Sequence, residues 1–99
     1  MDKIVFITGA SSGIGAGCAR KFASQGASLI LNARNVNKLS ALKEELEKQY
    51  GAKIYLLPFD VRDRKAATSA LESLPKEWQS IDILVNNACL LYTSDAADD

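Results

Sequence analysis

The chain has no histidine, which removes Ser-His-Asp triads, Cys-His dyads and His-ligated zinc. It has two cysteines, Cys18 and Cys89, whose separation matches neither a metal-binding spacing nor a disulfide framework. It has no excess of either charge: twelve Lys plus Arg balance twelve Asp plus Glu. That balance gives no electrostatic case for nucleic acid or an anionic membrane. No apolar run approaches the ~20 residues needed to span a bilayer. After Met1-Asp2-Lys3 only Ile4–Ile7 is apolar, too short for a signal-peptide core. The expectation is a reduced, cytoplasmic setting with no nucleic-acid or membrane partner.

What remains is globular. The 99 residues are 47% hydrophobic and 24% charged, outside the disordered range and enough for one small domain or a piece of a larger one. A chain this short buries only roughly 60–65% of its unfolded surface, so its core is marginal. The neutral total hides an asymmetry. Asp95, Asp98 and Asp99 lie in an eleven-residue stretch with no base, leaving twelve bases and nine acids over residues 1–88.

Apolar periodicity divides residues 1–88 into alternating elements. Ile4-Val5-Phe6-Ile7 within Lys3–Thr8 is a short, continuous, β-branched run, as in a strand buried on both faces. Ile14, Cys18, Ala19, Phe22 and Ala23 then fall at helical spacing, with Gly26 at the C-terminal cap. Ser28–Asn32 reads as a second strand. Asn35 or Asn37 caps a helix whose Leu39, Leu42 and Leu46 share a face and which ends at Gly51. Lys53–Phe59 is a third strand. Asp63 caps a helix carrying Ala66, Ala67, Ala70, Leu71 and Leu74, stopped by Pro75. Ile81–Val85 is a fourth strand, running into Asn86-Asn87-Ala88. Strand and helix alternating at this pitch predict an α/β fold: the N-terminal part of a doubly wound Rossmann sheet, parallel, with strand order 3-2-1-4. A ligand crevice then lies at the carboxyl ends of the first and fourth strands, where Thr8-Gly9 and Asn86-Asn87 meet.

Thr8-Gly9-Ala10-Ser11-Ser12-Gly13-Ile14-Gly15 follows a strand and opens a helix, the setting of a phosphate loop. Gly9 allows a sharp turn off the strand. Gly13 and Gly15 allow backbone and helix to approach a pyrophosphate and the sheet without a Cβ clash. The helix's first amides, at Ile14, are unsatisfied and partly positive, and Ser11 and Ser12 add hydroxyl donors. A P-loop would need Lys-Ser/Thr after the last glycine, where Ala16-Gly17 stands. The GxGxxG fingerprint fails because residue 11 is Ser. A glycine-rich turn with no ligand is the competing reading. Gly17 and Cys18 are assigned to helix-to-sheet packing.

The Thr-Gly-x-x-x-Gly-x-Gly pattern resembles the short-chain dehydrogenase/reductase family. Three further features fall in order behind it. Asp60-Val61 matches the family's adenine-contacting Asp-Val, and Asn86-Asn87-Ala88 matches the start of its Asn-Asn-Ala-Gly motif. Arg34-Asn35 follows the second strand where the family reads the adenosine ribose. Taken alone, Asp60 also fits a turn or cap aspartate, and the two asparagines fit loop amides closing strand ends. The resemblance covers about the first third of a typical member. It implies cofactor contacts from Gly9, Ser11, Ser12, Gly13, Ile14, Gly15, Arg34, Asn35, Asp60, Val61, Asn87 and Ala88. It also implies a small-molecule substrate and a homo-oligomeric parent. Leu74-Pro75-Lys76-Glu77-Trp78-Gln79-Ser80-Ile81-Asp82 resembles the NADP-dependent serine and 3-hydroxy acid dehydrogenases within that family, with Trp78 packing a loop under the sheet.

NAD-binding Rossmann units place a carboxylate near the end of the second strand to bond the ribose 2′-hydroxyl, and it would repel a 2′-phosphate. Leu31-Asn32-Ala33-Arg34-Asn35 has no acid there, and Arg34 stands nineteen residues after Gly15. A guanidinium suits a phosphate dianion, so the expected cofactor is NADP rather than NAD, with Ser11 adding a second hydrogen bond. A solvated arginine at a helix start is the competing reading.

The family's acid/base is a Tyr-x-x-x-Lys pair with an upstream Ser. Four residues after Tyr50, Tyr55 and Tyr92 stand Ile54, Phe59 and Ala96, so this chain carries a cofactor half-site and no catalytic residue. The expectation is an enzymatic parent whose 99-residue fragment is inactive; a non-catalytic nucleotide-binding module and an inactive remnant are the alternatives. At Cys89, where the motif calls for Gly, the pattern stops. Residues 89–99 resemble one reading frame of a transposase adapter used to prepare sequencing libraries. The expected organisation is a truncated NAD(P)-binding Rossmann domain over 1–88 and a foreign tail over 89–99.

Overall fold

The structure is a computed structural model that describes residues 3–60 and 62–86. Its elements run β1 (Ile4–Thr8), α1 (Gly13–Ser24), β2 (Ser28–Ala33), α2 (Val36–Tyr50), β3 (Ile54–Pro58), α3 (Arg64–Glu72), a 3-10 turn (Lys76–Trp78) and β4 (Ile83–Asn86). The four strands form one parallel sheet in the order β3-β2-β1-β4, as the alternation predicts.

Both faces of the sheet are covered over β1 and β2, which is why those strands read as unbroken apolar runs, whereas Leu84 of β4 is 59% exposed. Val5, Ile7, Leu29 and Leu31 point to one face, where they pack with Ala19 and Ala23 of α1 and Leu39, Leu42 and Leu46 of α2. Phe6 and Ile30 point to the other and pack with Leu57, Leu74 and Trp78. Trp78 also meets Tyr55, ring centroids 5.6 Å apart, so it does pack its loop under the sheet.

The helix ends follow local chemistry. The amide of Gly26 (φ 87°) bonds the Ala23 carbonyl at 3.0 Å and that of Ala27 bonds Phe22 at 3.1 Å, closing α1 in a Schellman motif. Asn35 and Asp63 accept from the amides of Lys38 and Ala66, both at 3.1 Å, capping α2 and α3. Gly51 closes α2 at φ 65°.

Three expectations shift. α3 ends at Glu72 rather than at Pro75, because Ser73 takes the C-cap and Leu74 turns inward into the core beneath the sheet. β4 begins at Ile83 rather than Ile81. Before it, Asp82 is spent on fastening the chain to β1: its Oδ2 accepts from the Ile4 amide, and its own amide donates to the Ile4 carbonyl, both at 2.9 Å. Gly17 does not pack on the sheet. It is exposed, and a Cβ there would meet nothing within 4 Å, whereas Cys18 does lie against the core as assigned.

Candidate functional site

β1 delivers the chain to the carboxyl edge of the sheet, where Gly9 turns it at φ 61°. That positive φ is costly for residues with a Cβ. The turn is tied to its neighbour: the Ala10 amide donates to the Asn32 carbonyl at the end of β2, 2.7 Å away. Thr8 is buried, and its hydroxyl donates to the Val85 carbonyl of β4 at 3.4 Å. Thr8 pairs in register with Asn86, so the first asparagine of the expected motif ends its strand beside the glycine loop.

The two loop glycines divide the work assigned to both. A Cβ on Gly15 would run into the Gly9 carbonyl oxygen and lie 2.9 Å from the Ala10 Cα, so Gly15 serves the close approach of α1 to the β1 turn. A Cβ on Gly13 would meet nothing within 4 Å. The space above Gly13 is open to a ligand.

Ser12 is the N-cap of α1. Its hydroxyl accepts from the Gly15 amide at 3.1 Å and donates to the Gly9 carbonyl at 2.9 Å. This corrects the expectation of a donor aimed at a ligand, since the Ser12 proton already serves the loop. The first i→i−4 bond of α1 runs from the Ala16 amide to the Ser12 carbonyl. Among the described residues this leaves the amides of Gly13 and Ile14 for an acceptor from outside the helix. They sit at the positive end of the helix dipole, beside the open space at Gly13. The Ile14 side chain is exposed at the same rim. Ser11 and Lys38 both line an open cleft of about 260 Å3 between α1 and α2.

The ends of β2 and β3 complete the rim. Arg34 projects into solvent, its side chain 71% exposed, and its Nη1 lies 3.8 Å from Asp60 Oδ2. The expected ribose reader and the expected adenine contact therefore meet. Asn35 is occupied as the α2 cap. Asp60 is both a turn aspartate and a rim residue, for its Oδ1 accepts from the Arg62 amide at 2.9 Å. Arg62 folds back on the same carboxylate, Nε to Oδ1 at 3.1 Å and Nη2 to Oδ2 at 2.9 Å. The Arg62 side chain, then its amide, and to a smaller degree the charge of Arg34, push the Asp60 carboxyl down to about 2. Val61, Asn87 and Ala88 lie outside the described residues.

Sequence reasoning missed Asn32 and Arg62. Asn32 is 1% exposed near the carboxyl end of β2, and its Nδ2 donates to the carbonyls of Leu57 at 2.9 Å and Phe59 at 3.0 Å. Its backbone holds the glycine loop and its side chain holds the chain entering Asp60, so one residue sets the spacing between the two halves of the rim. The available signal was a primary amide within an apolar run, which a buried strand tolerates only when it is hydrogen-bonded.

A helix N-terminus with vacant amides, a gap where a Cβ would stand and an exposed arginine in place of a ribose carboxylate together suit a phosphorylated dinucleotide. The comparisons with known proteins agree. The profile of the short chain dehydrogenase family matches residues 3–99. Sulfoacetaldehyde reductase 2 of Chromohalobacter salexigens is 42% identical over 99 residues, covering 100% of this chain and 38% of that protein. The NADP-dependent 3-hydroxy acid dehydrogenase YdfG of Escherichia coli (strain K12) is 46% identical over 87 residues, 88% of this chain and 34% of that protein. The crystal structure of L-sorbose reductase from Gluconobacter frateurii, complexed with NADPH and L-sorbose, superposes with a TM-score of 0.81 at 36% identity, over 87% of this chain and 33% of that one. The chain thus spans little more than a third of the length of these proteins. Among the described residues no helix is long and apolar enough to cross a membrane. With the parallel 3-2-1-4 sheet, the glycine loop and these matches in agreement, the chain belongs to the short-chain dehydrogenase family.

Proposed function

We propose that this chain forms the NADP-binding half of an oxidoreductase that interconverts a hydroxy and a keto substrate. The observation that carries the reading is the pairing of two vacant amides at the head of α1 with Arg34 at the end of β2, with no carboxylate on the Arg34 segment itself. In this arrangement the Gly13 and Ile14 amides hold the pyrophosphate, Gly13 gives it room, and Arg34 and Ser11 hold the 2′-phosphate. Asp60 lies towards the adenine beyond it, and the family resemblance assigns further contacts with the adenine and the ribose to Val61, Asn87 and Ala88. When bound, the cofactor supplies or accepts the hydride. Its proton partner is not in this chain, since no tyrosine here has lysine four residues on. Proton transfer then falls to residues that continue the fold in a longer, homo-oligomeric parent.

For the substrate we propose a 3-hydroxy acid, the class that includes serine. The Leu74–Asp82 resemblance and the 46% identity to a 3-hydroxy acid dehydrogenase support this. We also read residues 89–99 as foreign to the domain. The test is a pair of assays of NADPH formation with serine and several 3-hydroxy acids. Residues 1–99 alone should give no turnover, and the full-length parent should give turnover that requires NADP. Turnover by the 99-residue chain would overturn the half-site reading. A parent that ignores 3-hydroxy acids but reduces another carbonyl class would overturn the substrate.

A further inference from the structure

The rim contains a conflict that the cofactor reading leaves open. The NADP reading sets a phosphate dianion against Arg34, yet the Asp60 carboxylate lies 3.8 Å from the same guanidinium. A carboxylate there competes for the guanidinium donors and repels the phosphate, the effect by which an acidic residue selects NAD.

The geometry of Arg62 answers it. Both guanidinia approach Asp60 Oδ2, but not equally: Arg62 Nη2 is at 2.9 Å and Arg34 Nη1 at 3.8 Å. Arg62 adds two further bonds to Oδ1, from Nε at 3.1 Å and from its amide at 2.9 Å. The amide bond closes a turn that brings residue 62 back onto the carboxylate two positions before it, so the fork is locally preset. Two planar N–H donors on two carboxylate oxygens is the strongest geometry a guanidinium offers. Arg34 makes the longer contact and is the more exposed of the two, 71% against 61%.

We propose that Arg62 is a specificity-determining residue for the 2′-phosphate: it clamps the Asp60 carboxylate and leaves the Arg34 guanidinium to the cofactor. The proposal rests on the NADP reading of the same site. The three side chains then present one net positive charge to the ligand, where Arg34 and Asp60 alone would present none. The Asp60 carboxyl, held down to about 2, stays ionised at every pH used to handle the protein, so protonation does not relieve the conflict and a cation must.

The experiment is a fluorescence titration of NADPH and NADH with the full-length dehydrogenase that carries this chain, comparing wild type, R34A, R62A, R62Q and the double variant R62A/D60N. R62A and R62Q should each lower the NADPH-to-NADH affinity ratio roughly three- to fivefold, the upper end of what one surface charge pair is worth. Adding D60N to R62A should return the ratio to within about twofold of wild type, the usual additivity error. Whatever Asp60 contributes to holding the adenine is common to both cofactors and cancels in the ratio. A ratio unmoved in both single variants, or a fall that D60N does not reverse, overturns the role of Arg62. A wild type that does not prefer NADPH, or an R34A variant with an unchanged ratio, overturns the NADP reading beneath it. Preference for NADPH through Arg34 with no response at Arg62 removes the clamp alone.

Discussion

Replacing Arg34 with alanine separates cofactor recognition from folding. Among the described residues its contact is a single 3.8 Å ion pair to Asp60, with the arginine side chain 71% exposed. A pair of that kind contributes about 0–1 kcal/mol to stability. Asp60 also keeps its stronger partner, because the three bonds from Arg62 are untouched. The fold should therefore tolerate the change. The effect on the ligand is larger. A hydrogen bond to a charged group is worth ~1.5–3 kcal/mol. The high exposure of Arg34 argues for the lower half of that range, and at 1.4 kcal/mol per decade this is a loss of roughly 10- to 40-fold in NADPH affinity. NADH has no 2′-phosphate and should bind as before. Titration of both reduced cofactors by nicotinamide fluorescence, alongside a urea unfolding curve, measures all three quantities. An equal fall for both cofactors would end the 2′-phosphate assignment, because it would place Arg34 against a part they share. A loss of stability with no change in preference would mean that Arg34 belongs to the fold.

The remaining expectations concern the loop, the strand amide and pH. Gly15→Ala should cost ~2–3 kcal/mol or more in urea unfolding, since its Cβ runs into fixed backbone. Gly13→Val should unfold close to wild type yet lose cofactor binding in titration; an unchanged affinity would mean that the loop holds no phosphate. Asn32→Ala strips a donor from the carbonyls of Leu57 in β3 and Phe59 just beyond it, and unfolding should show a cost of ~2–3 kcal/mol together with weaker binding of both cofactors. The Asp60 carboxyl is held below its ordinary value of 3.8, so the stability it lends is present above that value and is lost only as pH falls towards 2. NADPH preference measured from pH 9 downward should therefore hold until the 2′-phosphate itself protonates, near ~6.

Much of the molecule was legible because its signals are local. Strands buried on both faces show as unbroken apolar runs, and Asn35, Asp63, Gly26 and Gly51 mark helix ends through contacts with residues a few positions away. The glycine loop was legible as a unit, but its division of labour was not. Only the packing of α1 on the β1 turn shows Gly15 as a spacer and Gly13 as an opening, and only the cap geometry shows where the Ser12 proton goes. Asn32 and Asp82 were hidden because their partners lie up to 27 and 78 residues away. Arg62 is two residues from Asp60, but its role depends on Arg34 arriving from another strand. The α3 boundary was misplaced because Pro75 is the loudest stop signal, while the core claimed Leu74 first.

On this reading the chain by itself builds the adenosine end of an NADP site. Adenosine 2′,5′-bisphosphate reaches only that end, so it is the most direct probe. Added to the 15N-labelled full-length protein, it should shift the amide signals of Gly13, Ile14, Arg34 and Arg62. It should also bind roughly tenfold tighter than adenosine 5′-monophosphate, the worth of the 2′-phosphate contact to Arg34. Equal affinity for the two nucleotides, or shifts that leave Gly13 and Ile14 unmoved, would mean that the chain builds no such site.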